Sequence, residues 1–264
     1  MKSISLKYSL AVLFIATSIA TSAQNKFKKG EEFQREVLVR SNCVLQRGAQ
    51  TLHVSSASTL IRSYKVTDAN TAGAVLAVST TKLIDTISAM DQSFIYSSAK
   101  AADPNSMIQV GLQNLSNAKL QVNINNKGEI LVTRPPVKLN DTLLSFSGIQ
   151  PEYFQAGSTV PFMADFPPTS SLKKGYSWSD NTSKTQTTYT IYAATPRTTT
   201  ITYKSSKLGG NLNSRINGTI LIDNNTGLVL KQYSQSVSTG YEMVNGVVYT
   251  ATRRTAITES SIKK

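Results

Sequence analysis

No disulfide can close within this chain, because Cys43 is its one cysteine. In VLVRSNCVLQ it reads as a small buried strand residue rather than a reactive thiol. Histidine is equally scarce. His53, in TLHVSS, stands alone, so no histidine pair can ligate zinc, and a strand histidine among apolar neighbours reads as structural. The G-x-S-x-G elbow, H-E-x-x-H, the G-x-x-x-x-G-K-[ST] phosphate loop and a G-x-G-x-x-G after a strand are all missing, which disfavours the enzyme classes built on them. No cofactor or metal is expected. Acidic residues are outnumbered, 15 against 28 Lys and Arg, for a net charge of +13. Such a balance suits anionic partners such as lipid head groups, acidic polysaccharide or nucleic acid. The cations nevertheless come as pairs, Lys28-Lys29, Lys173-Lys174, Arg253-Arg254 and Lys263-Lys264. None is the block of roughly five or six that marks a basic arm, so nucleic acid is not the expected partner.

The only long apolar run is at the start. In MKSISLKYSLAVLFIATSIATSA, Lys2 and Lys7 precede an apolar stretch from Leu10 to Ala20 and small residues end at Ala23. This pattern predicts a secretory signal over residues 1–23, cut between Ala23 and Gln24; the stretch is too short for the roughly 20 residues that a membrane span needs. No cysteine follows for a lipoprotein-type anchor. The expected product is an exported, soluble chain, periplasmic or secreted, with net charge +11 once Lys2 and Lys7 are removed.

From Gln24 onward the chain is rich in Thr, Ser, Val, Ile and Tyr, and period two dominates. Phe33, Val37 and Val39 share a face in FQREVLVRS, interrupted by Arg35; Tyr189 and Ile191, then Ile201 and Tyr203, alternate with threonine. Ala72 to Met90 reads as one long strand or a strand with a bend. Asn245-Gly246 between YEMV and VVYTAT predicts a type I′ hairpin, and the breaks at Asp68–Gly73 and Asn224–Gly227 predict longer turns. One segment differs: Asp103-Pro104 followed by Met107, Ile108, Gly111, Leu112 and Leu115 predicts a short amphipathic helix near 104–117. With no Lys or Arg before Lys119, it is expected to cover a sheet rather than bind a membrane.

FKKGEEF at Phe27–Phe33 is echoed by LKKGYSW at Leu172–Trp178, and each is succeeded downstream by a strand, an Asn-rich turn, a glycine and a strand: LQVNINNKGEILV and TILIDNNTGLVLK. The order predicts an internal duplication, with the helix inside an insertion in the first copy. The halves would span 24–134 and 171–264, joined over 135–170 by a segment rich in proline and in Phe146, Tyr153, Phe154, Phe162 and Phe166, too apolar for a free linker. The fold class expected is mainly β: two related antiparallel β halves forming curved sheets or an open barrel. In each copy Gly30 or Gly175 would make a turn, and Phe33 or Trp178 would lead its strand into the core. Trp178 has the alternative of a stacking platform for a ligand.

The AQ junction, the early K-K-G-x-x-F, the I-N-N-K-G-E-I hairpin and the later F-P-P-T-S-S-L-K-K-G-Y-S-W with I-D-N-N-T-G-L-V-L resemble a family of uncharacterised secreted proteins and lipoproteins of Bacteroidetes. The resemblance implies an envelope location and a two-part β-rich fold like the curved sheets of periplasmic lipoprotein carriers. It brings no activity and no site residue, and the anchoring cysteine of the lipoprotein members is absent here.

Glu31, Glu32, Asp85, Asp91, Asp165 and Asp223 remain as possible acid and base partners if the fold brings two together. Asp223-Asn-Asn-Thr-Gly227 lacks the distal acid of an EF-hand and reads as a turn. The Asn-x-Ser/Thr matches at Asn181 and Asn217 carry no weight in a bacterial-looking chain. The expectation is a non-enzymatic envelope protein that takes an apolar or lipid-like ligand on a concave β face under the helix. The alternative is an adhesion or scaffold module that binds acidic glycan or a protein partner through its basic surface.

Overall fold

A computed structural model describes residues 27–90, 92–134, 154–164, 166, 173–182, 184–244 and 246–264. The alternating runs form strands β1 (Glu32–Arg47), β2 (Gln50–Asn70), β3 (Gly73–Ala89), β4 (Gln92–Ser97), β5 (Lys119–Asn125), β6 (Ile130–Arg134), β7 (Ser177–Asn181), β8 (Thr185–Ala194), β9 (Thr198–Lys207), β10 (Leu212–Asp223), β11 (Val229–Val244) and β12 (Val247–Lys263), with helix α1 over Met107–Asn117. All strands join one antiparallel sheet in the order β6-β5-β3-β2-β1-β12-β11-β10-β9-β8-β7, with β4 beside β3. The ends are β6 and β7, so the curved sheet is not closed into a barrel. This is the mainly β, single-helix fold expected. Gly246, of the expected Asn245-Gly246 hairpin, turns β11 into β12 with φ +77°; Asn245 lies outside the described residues.

The helix starts later than expected. Asp103 and Pro104 form a turn, in which Asp103 Oδ1 accepts from Asn105 N–H and its carbonyl from Ser106 N–H. Ser106 is the N-cap, its hydroxyl accepting from Gln109 N–H. A proline at the first helical position would have needed the cap at 103; the Asx turn uses that carboxylate instead.

The same pairings recur in the same order in the two parts of the chain. Gly30 N–H donates to Val66 C=O and Val66 N–H to Glu31 C=O; Gly175 N–H donates to Ile191 C=O and Ile191 N–H to Tyr176 C=O. Phe33 then pairs with Tyr64 and Tyr64 with Val78, as Trp178 pairs with Tyr189 and Tyr189 with Tyr203. Register slips by one residue after Val66 in the first copy and after Ile191 in the second, so Thr67 and Tyr192 are equivalent bulged residues. A second slip lies before Ile124 and again before Ile222, each just ahead of an Asn-rich turn holding a positive-φ glycine, Gly128 or Gly227. Strand for strand, β1, β2, β3, β5 and β6 match β7, β8, β9, β10 and β11. The helix and β4 are inserted between the third and fourth strands of the first copy.

Gly30 and Gly175 have φ of +92° and +88°, and a Cβ at either would meet nothing within 4 Å. Replacing Gly175 by valine should therefore cost backbone strain alone, on the order of 1 kcal/mol or more. Urea unfolding checks it, and Gly30→Val should cost a similar amount if the two turns are the same device.

The connector's described part straps the halves together. Val160 N–H donates to Gly128 C=O and Ile130 N–H to Ser158 C=O on one side; Ala164 N–H donates to Gly227 C=O and Val229 N–H to Phe162 C=O on the other. Both hairpins are thus gripped by one short stretch, in the same way, four residues apart. The largest apolar cluster forms around it, with Phe27, Phe33, Tyr64, Leu76, Val122 and Ile130 from the first half, Phe154, Val160, Phe162 and Met163 from the strap, and Leu228 from the second.

Candidate functional site

Strand alternation gives the sheet two faces, and the strap and α1 cover one of them, the inner face. On β1 this face carries Phe33, Arg35, Val37, Val39, Ser41, Cys43 and Leu45, all buried. Beyond the strap come two arginines. Arg35 Nη2 lies 2.6 Å from Glu259 Oε2, with both side chains nearly buried. Arg62 lies 5.8 Å over the ring of Phe154. Burial pushes the hydroxyl of Tyr64 above its ordinary pKa, against the pull of both arginines, so Tyr64 remains a neutral phenol between them. Arg35 is therefore no interruption of its strand's apolar face: the pair with Glu259 makes a charged residue compatible with burial there.

Next along the strands comes an apolar patch roofed by α1. Val37, Val39, Leu60, Leu83, Tyr96 and Leu112 are buried together, with Ile108, Leu115 and Ile257 against them. Ser116 of the helix and the Tyr96 hydroxyl lie 3.1 Å apart, the polar tie between lid and sheet. Two residues on from Leu83, on the same face of β3, sits Asp85, 0 % exposed. Ser58 Oγ donates to Asp85 Oδ1 at 2.5 Å, while Oδ2 has no hydrogen-bond partner among the described residues. Burial raises the carboxyl's pKa to about 6, the serine only partly offsetting it.

Further along lies a strip of small hydroxyls crossing the strands: Ser56, Ser41, Thr255 and Ser236 face one another in successive register, and Ser205 and Thr187 continue it beyond Ile216. Beside the strip is a shallow cleft open to solvent, lined by Ser41, Cys43, Leu45, Val54, Ser56, Glu242 and Arg253. Arg253 Nη2 lies 2.6 Å from Glu242 Oε1. Burial and the neighbouring Glu242 carboxylate push the Cys43 thiol up, overcoming Arg253, so the cysteine stays protonated and is the inert buried residue its sequence suggested.

At the far end the inner face carries an aromatic stack. Trp178 lies parallel to Tyr189 at 5.3 Å and to Tyr176 at 5.9 Å, and Phe166 meets both Trp178 and Tyr189 edge-on. Trp178 is half-buried against the apolar cluster of Ile201, Ile220, Ile222 and Val229, at the place where the first half has the buried Phe33. The copies compensate in size: Val78 faces Leu120 in the first, and Tyr203 faces Gly218 in the second. A Cβ on Gly218 would fall 2.4 Å from the Tyr203 ring, so this glycine makes room for the tyrosine.

The candidate carboxylates are dispersed. Glu31 and Glu32 pair with Lys263 and Lys264 at the start of β1; Asp85 pairs with Ser58 of β2; Asp223 accepts from the Asn225 and Thr226 N–H groups in its turn. Asp91 and Asp165 lie outside the described residues. His53 is exposed, on the face opposite the helix. Among the described residues no cluster could hold a metal, and no helix is long and apolar enough to cross a membrane. Sequence reasoning missed the Ser58–Asp85 pair and the Arg253–Glu242 cleft, both of which need cross-strand register to be seen.

No family model matches the chain, and neither does any curated protein. Among solved structures, one described as lipid–protein interactions in lipovitellin is similar over 89% of this chain and 25% of that one, with TM-score 0.50 and 11% identity. An outer membrane channel from Pseudomonas putida F1 is 5% identical with TM-score 0.25, over 89% of this chain and 97% of that one. OpdQ from Pseudomonas aeruginosa is 7% identical with TM-score 0.22, over 90% and 100%. The chain spans about a quarter of the lipovitellin chain it matches, and that likeness is one of fold; the two channels are too distant to bear on it.

Proposed function

We propose that this is an exported, non-enzymatic envelope protein that holds an apolar or lipid-like ligand against the inner face of its sheet, beneath α1. The observation that carries the reading is the lid: an amphipathic helix of 11 residues is the cover of an apolar patch on a long curved sheet. The cleft beside the hydroxyl strip has room for no more than about one water molecule, far less than an ordinary ligand pocket, and the patch under α1 is filled by the helix's own Leu112. A chain-like ligand therefore enters by displacing the helix and taking over the burial of Val37, Val39, Leu60 and Leu83. The dispersal of the carboxylates and the inertness of Cys43 support a non-catalytic role. The likeness to lipovitellin, whose structure concerns lipid–protein interactions, agrees with this reading at the level of fold.

Organic extraction of the purified protein and mass spectrometry of the extract should recover an amphiphile. The extracted protein should take up a fluorescent long-chain fatty acid, with faster amide exchange over residues 107–117 in the loaded form. An extract free of lipid together with no uptake would overturn the proposal.

A further inference from the structure

The face opposite the helix holds a basic and apolar surface that no segment of the linear sequence displays. Its rows arise from strand pairing. In one row Asn42 of β1 faces Arg254 of β12, Arg254 faces Val237 of β11, and Val237 faces Arg215 of β10. In the next, Arg40 faces Ala256, Ala256 faces Gln235, Gln235 faces Asn217, and Asn217 faces Lys204 of β9. Two strand spacings separate Arg254 from Arg215, about 10 Å. All four cations are exposed, and none makes an ion pair among the described residues. In these two rows, and in the row through Leu38 and Tyr233 beside them, β2, β1, β12, β11, β10 and β9 present no Asp or Glu.

Large apolar side chains stand among the cations. Val237, between Arg254 and Arg215, is 45% exposed; Tyr241 on the same strand is 59%, Met243 is 67%, and Val248 opposite Met243 is 54%. Isolated exposed apolar residues are ordinary, but these share one face with four cations that make no ion pair among the described residues.

We infer that this outer face docks on the surface of an anionic lipid bilayer. Arginine and lysine meet the head groups, while tyrosine, methionine and valine reach into the boundary beneath them. An acidic polysaccharide would use the cations and leave the exposed Val237, Tyr241, Met243 and Val248 in water, whereas a bilayer uses both. The site is distinct from the ligand face under α1 and does not depend on it.

The test is co-sedimentation of the full chain with vesicles of phosphatidylcholine alone and of phosphatidylcholine with phosphatidylglycerol. Binding is expected to the anionic vesicles only and to weaken as salt is raised. Each cation at such a surface contributes roughly fivefold to partitioning, so the triple variant Arg40→Gln, Arg215→Gln, Arg254→Gln should lose about a hundredfold. Val237→Ser with Tyr241→Ser should weaken binding to anionic vesicles without changing its salt dependence. Circular dichroism of each variant controls for folding, and uptake of the fluorescent fatty acid should be unchanged, which separates this surface from the lid site. Failure to bind anionic vesicles, binding that the triple variant retains, or retention on dextran sulfate without vesicle binding would each overturn the inference.

Discussion

Replacing Phe162 by alanine should destabilise the protein by about 3–5 kcal/mol, as truncation of a buried aromatic does. The ring is 0 % exposed, stacked on Phe33 at 4.7 Å and tilted against Tyr64 at 4.9 Å. Those two partners belong to the first half, while the Phe162 carbonyl accepts from Val229 of the second. The substitution leaves a cavity at the point where the strap joins the copies, so nothing local can collapse into it without loosening a hairpin. Urea unfolding of Phe162→Ala beside Phe166→Ala, whose ring packs on the second half's aromatic stack and the apolar cluster beneath it, separates the joint from general loss of apolar surface. A cost below about 1 kcal/mol for Phe162→Ala would show that the strap is not what couples the halves.

Stability should fall as pH rises from about 4 to about 6, and the group responsible is Asp85. An unfolded aspartate titrates near 3.8 and this one, in the fold, at about 6. Below about pH 4 the carboxyl is protonated in both states and contributes nothing. Between the two values the unfolded chain releases its proton while the folded chain still holds it, so unfolding gains. Above about 6 both are ionised and the penalty is constant, on the order of 3 kcal/mol for a difference of about two pH units. Asp85→Asn keeps an acceptor for Ser58 and has no charge to bury. It should be the more stable protein at pH 7 by about that amount and lose the advantage near pH 4, as measured by urea midpoints across the range. A variant no more stable than the parent at pH 7 would mean that the ionised carboxylate is satisfied by partners other than Ser58.

The strands, the closing hairpin and the two Lys-Lys-Gly turns were legible because each is written locally: alternation over a few residues, an Asn-Gly pair, a glycine after two lysines. The recurrence of pairings holds down to two bulges, at Thr67 and Tyr192 and ahead of the Gly128 and Gly227 turns, which no sequence pattern announces. The site was far less legible. Arg35 looked like a break in an apolar face because its partner, Glu259, lies 224 residues away. Asp85 looked like an ordinary strand carboxylate, since its partner Ser58 and its neighbour Tyr96 meet it only through strand pairing. The cations of the outer face looked dispersed for the same reason: Arg40, Lys204, Arg215 and Arg254 are neighbours only through the order of strands. The helix was legible in kind and misplaced at its start, because Asp103 and Ser106 are both good caps and only the backbone of the turn at Pro104 decides between them.

The first strand lies in the middle of the sheet, flanked by β2 and by the last strand, β12. A growing chain can zip β1 to β6 as each hairpin appears, and later β7 to β11, but one edge of β1 stays bare until β12 is made. Fourteen register pairs, from Phe33 with Lys263 to Gln46 with Thr250, then form across nearly the whole length of the chain. Such late, long-range pairing makes for slow folding and leaves an open strand edge exposed in the meantime. A chain shortened before β12 should behave as two sheets rather than one, and holding the termini apart should delay the native state without preventing either half from forming.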